Sequence, residues 1–484
     1  MTDTIYGNYN VGQWRGPSEA GTFPVHDPAT GELVAEVATA TADDVRFAID
    51  GASAVQASWG ATPPVERGAI IKRACAIMTA RLDELGRLLV REQGKPLPQA
   101  VGESIYGIGF LEWFAEEGRR SHGMTIPATT TAKRIVVLRQ PIGVTVAITP
   151  WNFPSTQLLR KLGAALAAGC TMIVKPAELT PLSALEIARC FDEAGLPAGV
   201  LSVLCAPEPY DFADVVMADP RVRAISFTGS TEVGKILMRS SADTMKKVSL
   251  ELGGHAPLIV FDDANLDVAV AETMASKFRN MGQTCVSVNR IFVHEAVVDD
   301  FSERLERAMG ALRIGNGLDE ASDVGPLIEP AAIEKVERHI ADAVEKGAKV
   351  VLGGGRAAGP DLRSEQYFEP TLLVNVDDSM LVTQEETFGP VAPILTFRDE
   401  QDVIARANNT PYGLSAYCFT NDLNRAIRMS EALEYGTVGI NDAMISAVQA
   451  PFGGMKESGL GREGGPFGLD EFQETKYVSI GQVG

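Results

Sequence analysis

Cys285 is the cysteine whose surroundings best suit covalent chemistry. It lies in the segment SKFRNMGQTCVSVNR, between the end of a predicted helix and the start of a predicted strand. The small or polar residues before it, Gly282, Gln283 and Thr284, are typical of a chain turn that faces a cleft. A lone cysteine is more often a buried apolar residue, so this alternative stays open. The buried interpretation is favoured for Cys170, Cys190, Cys205 and Cys418, which lie within apolar or helical patterns.

Glu251 is a carboxylate placed where a ligand would bind. In KKVSLELGGHAP the apolar residues at 248, 250 and 252 share one face of a predicted strand, so Glu251 projects from the other face. Gly253 and Gly254 follow at once, and they allow the chain to turn and another group to approach the backbone. The alternative is a solvated or ion-paired glutamate.

Asn152 and Lys175 each come directly after a predicted strand. Asn152 lies in TPWNFPST between two prolines that fix the backbone, and an amide held so rigidly can donate to a developing oxyanion. It could equally support its own turn. Lys175 follows the strand TMIV, where it can reach a ribose or a phosphate or stay on the surface.

Two glycine-rich segments resemble nucleotide-binding motifs. Residues 229–235, GSTEVGK, nearly match a phosphate-binding loop, but Ile236 stands where Mg²⁺ needs a hydroxyl, so an NTPase is rejected. The segment still follows a strand and opens a helix, so its N–H groups can hold a pyrophosphate. Residues 459–464, GLGREG, follow a glycine-rich stretch rather than a strand, and we predict a flexible loop there.

The elements that must position these residues form two α/β series. Residues from about 40 to 120 show helical periodicity, and 134–139 are strand-like. The first series has predicted strands at 142–149, 171–174, 200–205, 224–227 and 248–252, with helices at 154–168, 181–194 and 230–240. The second has strands at 258–261, 288–293 and 350–352, with helices at 265–280, 298–311 and 331–346. Such alternation predicts doubly wound α/β domains that bind ligands at the carboxyl ends of their strands.

The remaining segments and the composition limit the possible functions. Residues 452–465 read as a loop, and the final KYVSIG as an exposed strand that pairs with another subunit. The net charge of −20 argues against nucleic-acid binding. The six cysteines form no C-x-x-C pair, so no metal site is predicted. No signal peptide or membrane span is recognisable, and we expect a cytoplasmic protein of more than one domain.

Seven motifs in order resemble those of the aldehyde dehydrogenase superfamily over residues 20 to 480, with succinate-semialdehyde dehydrogenases as the most similar group. They are TPWNFP, KPAELTPL, FTGSTEVG, LELGGHAP, FRNMGQTC, EETFGP and PFGGMKESGLGRE. The resemblance implies two Rossmann-like α/β domains with a small β extension for oligomerisation. The NAD-binding domain would span 1–123 and 144–254, the catalytic domain 255–445, and the oligomerisation strands 124–143 and 460–484.

The resemblance also assigns roles in catalysis. Cys285 would attack the aldehyde carbonyl, with the oxyanion held by the Asn152 amide and the Cys285 N–H. A thioester would remain after hydride transfer, and Glu251 would activate water to hydrolyse it. Some relatives carry a second cysteine two places after the nucleophile. Ser287 stands there, so we predict no redox-switched disulfide.

The family pattern places the cofactor and the substrate as well. The adenosine ribose would lie at Lys175 and Glu178, whose carboxylate favours NAD over NADP although NADP stays possible. Arg160, Arg279 and Ser446 would bind the far carboxylate of a semialdehyde acid. The other predicted cofactor contacts are Trp151, Pro176, Ala177, Gly229, Ser230, Thr231, Glu232, Val233, Gly234, Leu252, Glu386 and Phe388.

Several alternatives stay open. Arg160 and Arg279 could be ordinary helix-surface charges, and the substrate could be glutarate or 2-oxoglutarate semialdehyde. A CoA-acylating enzyme is disfavoured by Glu251, since that branch generally lacks the glutamate. A cysteine hydrolase is disfavoured because no histidine motif accompanies Cys285. A homodimer or homotetramer is expected from the resemblance alone, and His255 departs from the family pattern without a functional explanation.

Overall fold

The first half of the chain alternates strands and helices after a block of four helices. The computed structural model describes residues 5–482. The strands are β1 (Ile5–Tyr6), β2 (Asn8–Asn10), β3 (Gln13–Arg15), β4 (Thr22–His26), β5 (Leu33–Ala38), β6 (Met124–Ile126), β7 (Lys133–Pro141), β8 (Val144–Ile148), β9 (Thr171–Lys175), β10 (Leu201–Val203), β11 (Val222–Thr228) and β12 (Lys247–Glu251). The helices are α1 (Ala42–Ala61), α2 (Pro64–Ala80), α3 (Leu82–Gln93), α4 (Leu97–Glu117), α5 (Pro154–Ala168), α6 (Leu182–Glu193), α7 (Pro209–Ala218) and α8 (Thr231–Ser241).

The second half forms another α/β series and ends in a long strand. The strands are β13 (Ala256–Val260), β14 (Val288–His294), β15 (Lys349–Leu352), β16 (Thr371–Val374), β17 (Val391–Phe397), β18 (Ser415–Phe419), β19 (Thr437–Ile440), β20 (Gly459–Leu460) and β21 (Gln473–Gly481). The helices are α9 (Leu266–Lys277), α10 (Val298–Gly310), α11 (Pro330–Glu345), α12 (Leu381–Gln384), α13 (Glu400–Asn408), α14 (Leu423–Ala432) and α15 (Phe467–Asp470).

The first large sheet has the order β20-β12-β11-β8-β9-β10-β2-β3, with a parallel centre from β12 to β10. Its strands are buried on both faces because helices cover each side. Along β9, Met172 and Val174 pack into one hydrophobic cluster, while Ile173 between them packs into the cluster on the other face. This pattern explains the nearly continuous apolar strands of the sequence.

The second large sheet has the order β15-β16-β17-β14-β13-β18-β19 and its own hydrophobic core. All neighbouring strands are parallel except β15 and β16. The predicted α/β class with two sheet-centred series is confirmed. Four strands of this sheet, β16 to β19, were not predicted from the sequence.

A third sheet has the order β21-β7-β6, and a fourth has the order β1-β5-β4. The predicted strand at KYVSIG exists, but its observed partner is β7 of the same chain, in an antiparallel register from Gln473 opposite Pro141 to Gly481 opposite Lys133. We predicted that residues 460–484 belong to the oligomerisation strands. Within this range, the strand of the third sheet begins only at Gln473. Leu460 instead pairs with Leu250 at the edge of the first sheet.

The glycine-rich segment 452–465 corrects a prediction. We predicted a flexible loop at 459–464, yet Gly459 and Leu460 form β20 beside β12, and Phe452 bridges to Glu463. This segment therefore lies directly against Glu251, the last residue of β12. Among residues 5–482, no helix combines the length and apolarity that a membrane crossing requires.

Candidate active site

Cys285 lies on a tight turn between a helix and a strand, as the sequence predicted. A 3-10 turn at Arg279–Gly282 follows α9, and β14 begins three residues after the cysteine. Asn280, Met281 and Gly282 all have positive φ angles of 49°, 55° and 74°. Such left-handed residues are costly outside glycine, so surrounding contacts must hold this turn.

Two cavities meet at Cys285. The first has a volume of about 350 Å³ and the second about 330 Å³. Within residues 5–482, Cys285 is the residue that lines both. A group bound in one cavity and a group bound in the other would therefore both reach the thiol.

The first cavity brings together the three predicted substrate residues. Arg160, Arg279 and Ser446 all line it, although they come from α5, the turn before Cys285 and the loop after β19. The sequence analysis missed other wall residues. Tyr106, Phe153, Gln157 and Phe452 contribute apolar and polar surface. Gln157 could have been predicted from the sequence, because residues three apart on a helix lie on the same face and Arg160 follows it by three.

Arg160 is buried rather than a helix-surface charge. Its exposure is 4%, and its guanidinium lies 4.6 Å and 4.9 Å from the ring centroids of Phe110 and Phe452. Its Nη1 donates to Glu463 at 3.2 Å, whereas its Nε has no hydrogen-bond partner among the described residues.

Arg279, in the wall of the first cavity, lies beside an aromatic ring. Its guanidinium lies 5.3 Å from the ring centroid of Phe153, and its Nε likewise lacks a partner in the described chain. The wall of the cavity thus contains two guanidinium groups and a serine hydroxyl. This combination is suited to an anion such as a carboxylate.

Asn152 lies at the carboxyl end of β8 and lines the second cavity together with Cys285. Its Nδ2 donates to the main-chain oxygen of Gln283 at 3.1 Å, and its own Oδ1 accepts from the Phe153 N–H at 3.1 Å. The side chain is 5% exposed. The amide is therefore fixed against the turn that carries the nucleophile, as the oxyanion role requires.

Glu251 ends β12 and is buried without a hydrogen-bond partner on either carboxylate oxygen in the described structure. Burial, together with the nearby Glu463 carboxylate, raises its pKa well above the usual range, although Lys161, Arg160 and Arg462 oppose the rise. A Cβ atom on Gly453 would lie 2.6 Å from its Oε1, so the glycine leaves room for the carboxylate. An unpartnered buried carboxylate can accept a proton.

Glu463 is an active-site residue that the sequence analysis missed. It forms buried ion pairs with Arg160 and Lys161, and Lys161 also donates to the Thr228 hydroxyl at 2.7 Å. Burial disfavours its ionisation, but the two cations outweigh burial and hold its pKa below the usual range. No local signal reveals this role, since Glu463 lies in the segment whose glycines suggested a loop.

The backbone near Cys285 shows why two glycines follow Glu251. A Cβ atom on Gly254 would lie 2.3 Å from the Cys285 carbonyl oxygen, a distance that real side chains do not allow. The Gly254 N–H donates to Glu386 Oε1 at 3.0 Å. The close approach predicted at Gly253 and Gly254 is thus present, and it joins the ends of the two sheets.

The thiol of Cys285 is half-buried, and its surroundings disfavour the thiolate. Burial raises its pKa to about 12, with a further rise from Glu386, while Arg160 opposes the shift. Thiolate formation therefore needs a proton acceptor or a bound partner group. The remaining cysteines are buried, and Ser287 stands at the position where a second thiol could have lain.

The second cavity has the walls expected for a nicotinamide cofactor. Trp151, Gly229, Ser230, Leu252, Glu386 and Phe388 line it, all of them predicted contacts. Trp151 and Phe388 pack edge to face with centroids 5.5 Å apart. Burial raises the pKa of Glu386 to about 7, although the Gly254 N–H opposes the rise.

The segment 229–234 opens a helix, as predicted. Ser230 caps α8 by accepting from the Val233 N–H at 3.3 Å, and the first turn contains Thr231, Glu232 and Gly234. A Cβ atom on Gly234 would lie 2.5 Å from a Leu252 methyl group, so the glycine permits close packing. The unused N–H groups of this first turn suit a pyrophosphate.

The predicted adenosine residues lie away from Cys285, outside the walls of the second cavity. Lys175 ends β9 opposite Ile148 of β8, and Pro176, Ala177 and Glu178 follow it. Lys175 Nζ lies 3.6 Å from Glu178 Oε2, whose side chain is 47% exposed. An exposed carboxylate at a strand end can accept hydrogen bonds from a ribose.

Two further features concern metal binding and His255. Among residues 5–482, no group of three or more His, Cys, Asp or Glu side chains could hold a metal ion. His255 is fully buried, and neither ring nitrogen has a hydrogen-bond partner in the described chain. Burial lowers its pKa well below the usual value. The structure suggests no role for it in the chemistry at Cys285.

Comparison with known proteins identifies the family. The model of the aldehyde dehydrogenase family matches residues 14–478. The chain is 51% identical to a succinate-semialdehyde dehydrogenase [NADP(+)] of Escherichia coli (strain K12) over 97% of this chain and 96% of that protein. It is 49% identical to a glutarate-semialdehyde dehydrogenase of Pseudomonas aeruginosa, covering 98% and 97% of the two chains. A crystal structure of an E. coli NADP dependent enzyme superposes with a TM-score of 0.97 at 50% identity, over 99% of this chain and 98% of that one. The chain therefore belongs to the aldehyde dehydrogenase family.

Proposed function

We propose that this protein oxidises a semialdehyde acid, with succinate semialdehyde as the first candidate, to a dicarboxylic acid in an NAD(P)-dependent reaction. The observation that carries the proposal is the position of Cys285 between a cavity with two arginines and a cavity suited to a nicotinamide. An aldehyde carbon held at the thiol would have its acidic end in one cavity and the hydride acceptor in the other.

The first step is attack of the Cys285 sulfur on the aldehyde carbon. Because the surroundings of the thiol disfavour the thiolate, its proton must pass to solvent as the carbon–sulfur bond forms, which leaves the nearby unpartnered Glu251 carboxylate free to act as the base in the later hydrolysis. The Asn152 amide and the Cys285 N–H donate to the oxyanion of the thiohemiacetal. Loss of one such donor typically costs ~10²–10³ in rate.

The nicotinamide, when bound, supplies the hydride acceptor. The wall residues Trp151, Leu252 and Phe388 exclude water from this part of the cavity, and Glu386 accepts hydrogen bonds there. Collapse of the thiohemiacetal leaves a thioester on Cys285. Glu251 then removes a proton from water, whose oxygen attacks the thioester and releases the carboxylic acid.

The substrate anchor consists of Arg160, Arg279 and Ser446. The positions of the two arginines in the cavity wall support binding of the far carboxylate. Arg160 is already paired with Glu463, so Arg279 carries the larger share of the attraction in this proposal. Ser446 adds a hydroxyl donor to the wall of the same cavity.

Glutarate semialdehyde is a second candidate substrate. It presents the same two functional ends, and a relative at 49% identity is named for it. The cavity of about 350 Å³ leaves room for either molecule. 2-Oxoglutarate semialdehyde stays a further possibility, and a CoA-acylating reaction is disfavoured by the buried Glu251.

Within the NAD(P) class, we propose a preference for NAD. The Glu178 carboxylate beside Lys175 accepts hydrogen bonds from a 2′-hydroxyl and repels a 2′-phosphate. The E. coli relative is named for NADP(+). The proposed preference for NAD therefore rests on Glu178 of the present chain and not on that relative. Thr231, Glu232, Val233 and Gly234 of α8 would face the pyrophosphate.

We further propose the domain roles and the assembly predicted above. The first large sheet would hold the cofactor and the second would supply Cys285, with the β6–β7–β21 sheet as the oligomerisation extension of a homodimer or homotetramer. Its exposed apolar side chains support an interface, including Met124 at 57%, Tyr477 at 61% and Ile480 at 46% exposure. A cytoplasmic location is part of the same proposal.

The proposal is tested by following cofactor reduction across a panel of semialdehyde acids and simple aliphatic aldehydes, with and without CoA. We expect the highest kcat/KM for a four- or five-carbon semialdehyde acid, no requirement for CoA, and loss of activity in Cys285→Ser. A preference for uncharged aldehydes or a strict requirement for CoA would contradict it.

A further inference from the structure

Lys95 and Glu103 form an ion pair deep inside the protein, beside the active site. Lys95 Nζ donates to Glu103 Oε2 at 2.5 Å, and the two side chains are 0% and 1% exposed. Removing two charges from water costs several kcal/mol per ion, and an apolar pair is often equally stable. The pair therefore calls for an explanation other than stability.

The Lys95 ammonium also contacts the residue that would bind the oxyanion. Its Nζ donates to the Asn152 main-chain oxygen at 2.7 Å and lies 3.8 Å from the ring centroid of Phe153. Two of its three N–H groups are thus accounted for by Glu103 and Asn152. The contact fixes the main chain at Asn152, from which the side-chain amide projects.

Glu103 holds the next residues of the same segment. Its Oε1 accepts from the main-chain N–H groups of Ser155 and Thr156 at 2.9 Å and 3.2 Å. These N–H groups belong to the first turn of α5, which has no intrahelical acceptor for them. Lys95 and Glu103 together bind main-chain groups on both sides of Pro154, so the segment that carries Asn152 is held at two points.

The same region of the chain supports the turn before Cys285. Asn280 Nδ2 donates to the Asn152 main-chain oxygen at 3.0 Å, so this oxygen is shared between Lys95 and the nucleophile turn. Gln93 donates to Asn280 Oδ1 at 2.9 Å, and Gln99 accepts from the Asn280 N–H at 2.9 Å. These contacts hold Asn280 in its left-handed conformation.

We propose that Lys95 and Glu103 are a positioning pair for the reaction, which together align the Asn152 amide with Cys285. This inference rests on the proposed function, since it assigns the pair through the oxyanion donor. The pair touches no reacting atom. Its effect is expected on kcat, because misplacement of a reacting group by about 1 Å can cost about 10²-fold in rate.

The first test separates positioning from stability. Lys95→Met leaves Glu103 buried and unpaired, so it should lower both Tm and kcat. Lys95→Met with Glu103→Gln removes both charges and should restore most of Tm, whereas kcat should stay about 10- to 10²-fold low with KM for both substrates little changed. Recovery of kcat in parallel with Tm would mean that the pair is only structural, and would overturn the proposal.

A matched control is Lys246→Met. Lys246 is also buried, and its Nζ donates to the main-chain oxygens of Asp219 and Val222 at 2.7 Å and 3.0 Å, at the end of β12 far from Glu251. We expect this variant to lower Tm without changing kcat. If Lys246→Met lowers kcat as much as Lys95→Met does, the positioning role of Lys95 and Glu103 is overturned.

The second test is a double-mutant cycle between Lys95→Met and Asn152→Ala. If Lys95 acts through Asn152, the double variant should be no slower than Asn152→Ala alone. Losses that multiply would overturn the inference. If Asn152→Ala itself leaves kcat unchanged, or Cys285→Ser stays active, the proposed function fails instead, so the two failures are distinguishable.

Discussion

The backbone of Gly254 passes so close to Cys285 that a single methyl group on it would lie 2.3 Å from the cysteine carbonyl oxygen. Gly254 follows Glu251 by three residues, so the contact links the end of β12 to the turn that carries the thiol. This close backbone approach adds to the hydrogen bonds that Asn152 forms with the same turn. This contact sets the relative positions of the base and the nucleophile.

Gly254→Ala should move this turn and reduce activity. Because the obstructing atom is main chain, it cannot swing aside as a side chain would, and a shift of about 1 Å can cost about 10²-fold in kcat. The control is Gly310→Ala, where a Cβ atom meets nothing within 4 Å. Normal kcat in Gly254→Ala, measured by cofactor reduction, would contradict the role given to this contact.

Arg279→Ala should impair the oxidation of semialdehyde acids selectively. A hydrogen bond to a charged group contributes ~1.5–3 kcal/mol, so kcat/KM should fall about 10- to 100-fold. Oxidation of an uncharged aliphatic aldehyde by the same variant serves as the internal control and should change little. An equal fall in kcat/KM for the two substrates would show that Arg279 does not bind the far carboxylate.

Glu178→Ser should shift the cofactor preference toward NADP. Removal of the carboxylate eliminates repulsion of a 2′-phosphate, and the ratio of kcat/KM for NADP to that for NAD should rise about tenfold or more. Glu345→Ser, which removes an exposed charge on α11, controls for net charge. An unchanged ratio in Glu178→Ser would refute the assignment of this residue.

The reactivity of the Cys285 thiol should depend steeply on pH in the cofactor-free enzyme. Its pKa is raised to about 12, so the thiolate fraction should grow about tenfold per pH unit from neutral pH upward. Alkylation by iodoacetamide, read out by peptide mass spectrometry, measures this directly. A plateau below pH 8 would mean that the thiol is already ionised, contrary to the structure.

The sequence was most informative where function depends on the end of a strand. Cys285, Glu251, Asn152 and Lys175 each come directly after or before a short apolar run, and the carboxyl ends of parallel strands meet at one edge. Residue types and neighbouring glycines therefore indicated separate positions suited to a ligand, and the resemblance to aldehyde dehydrogenases predicted that they share one site. That Arg160, Arg279 and Ser446 line one cavity could be seen only in the three-dimensional structure.

Contacts between distant segments were beyond the sequence analysis. Glu463 is separated from Arg160 by 303 residues, and Lys95 from Asn152 by 57, so no periodic pattern links them. The strand β17 was missed for a different reason. It contains Pro393, and proline normally argues against a central strand, yet β17 lies between β16 and β14.

The central claim is that Cys285 carries a thioester that Glu251 helps to hydrolyse. The most direct test mixes the Glu251→Gln variant with succinate semialdehyde and NAD(P). The mass of the protein is then measured, and peptide mapping locates any added group. We predict about one equivalent of reduced cofactor per active site and a succinyl group retained on the Cys285 peptide, because the carboxylate that activates water is absent. Sustained turnover at the unmodified rate, or an acyl group on any other residue, would contradict the account.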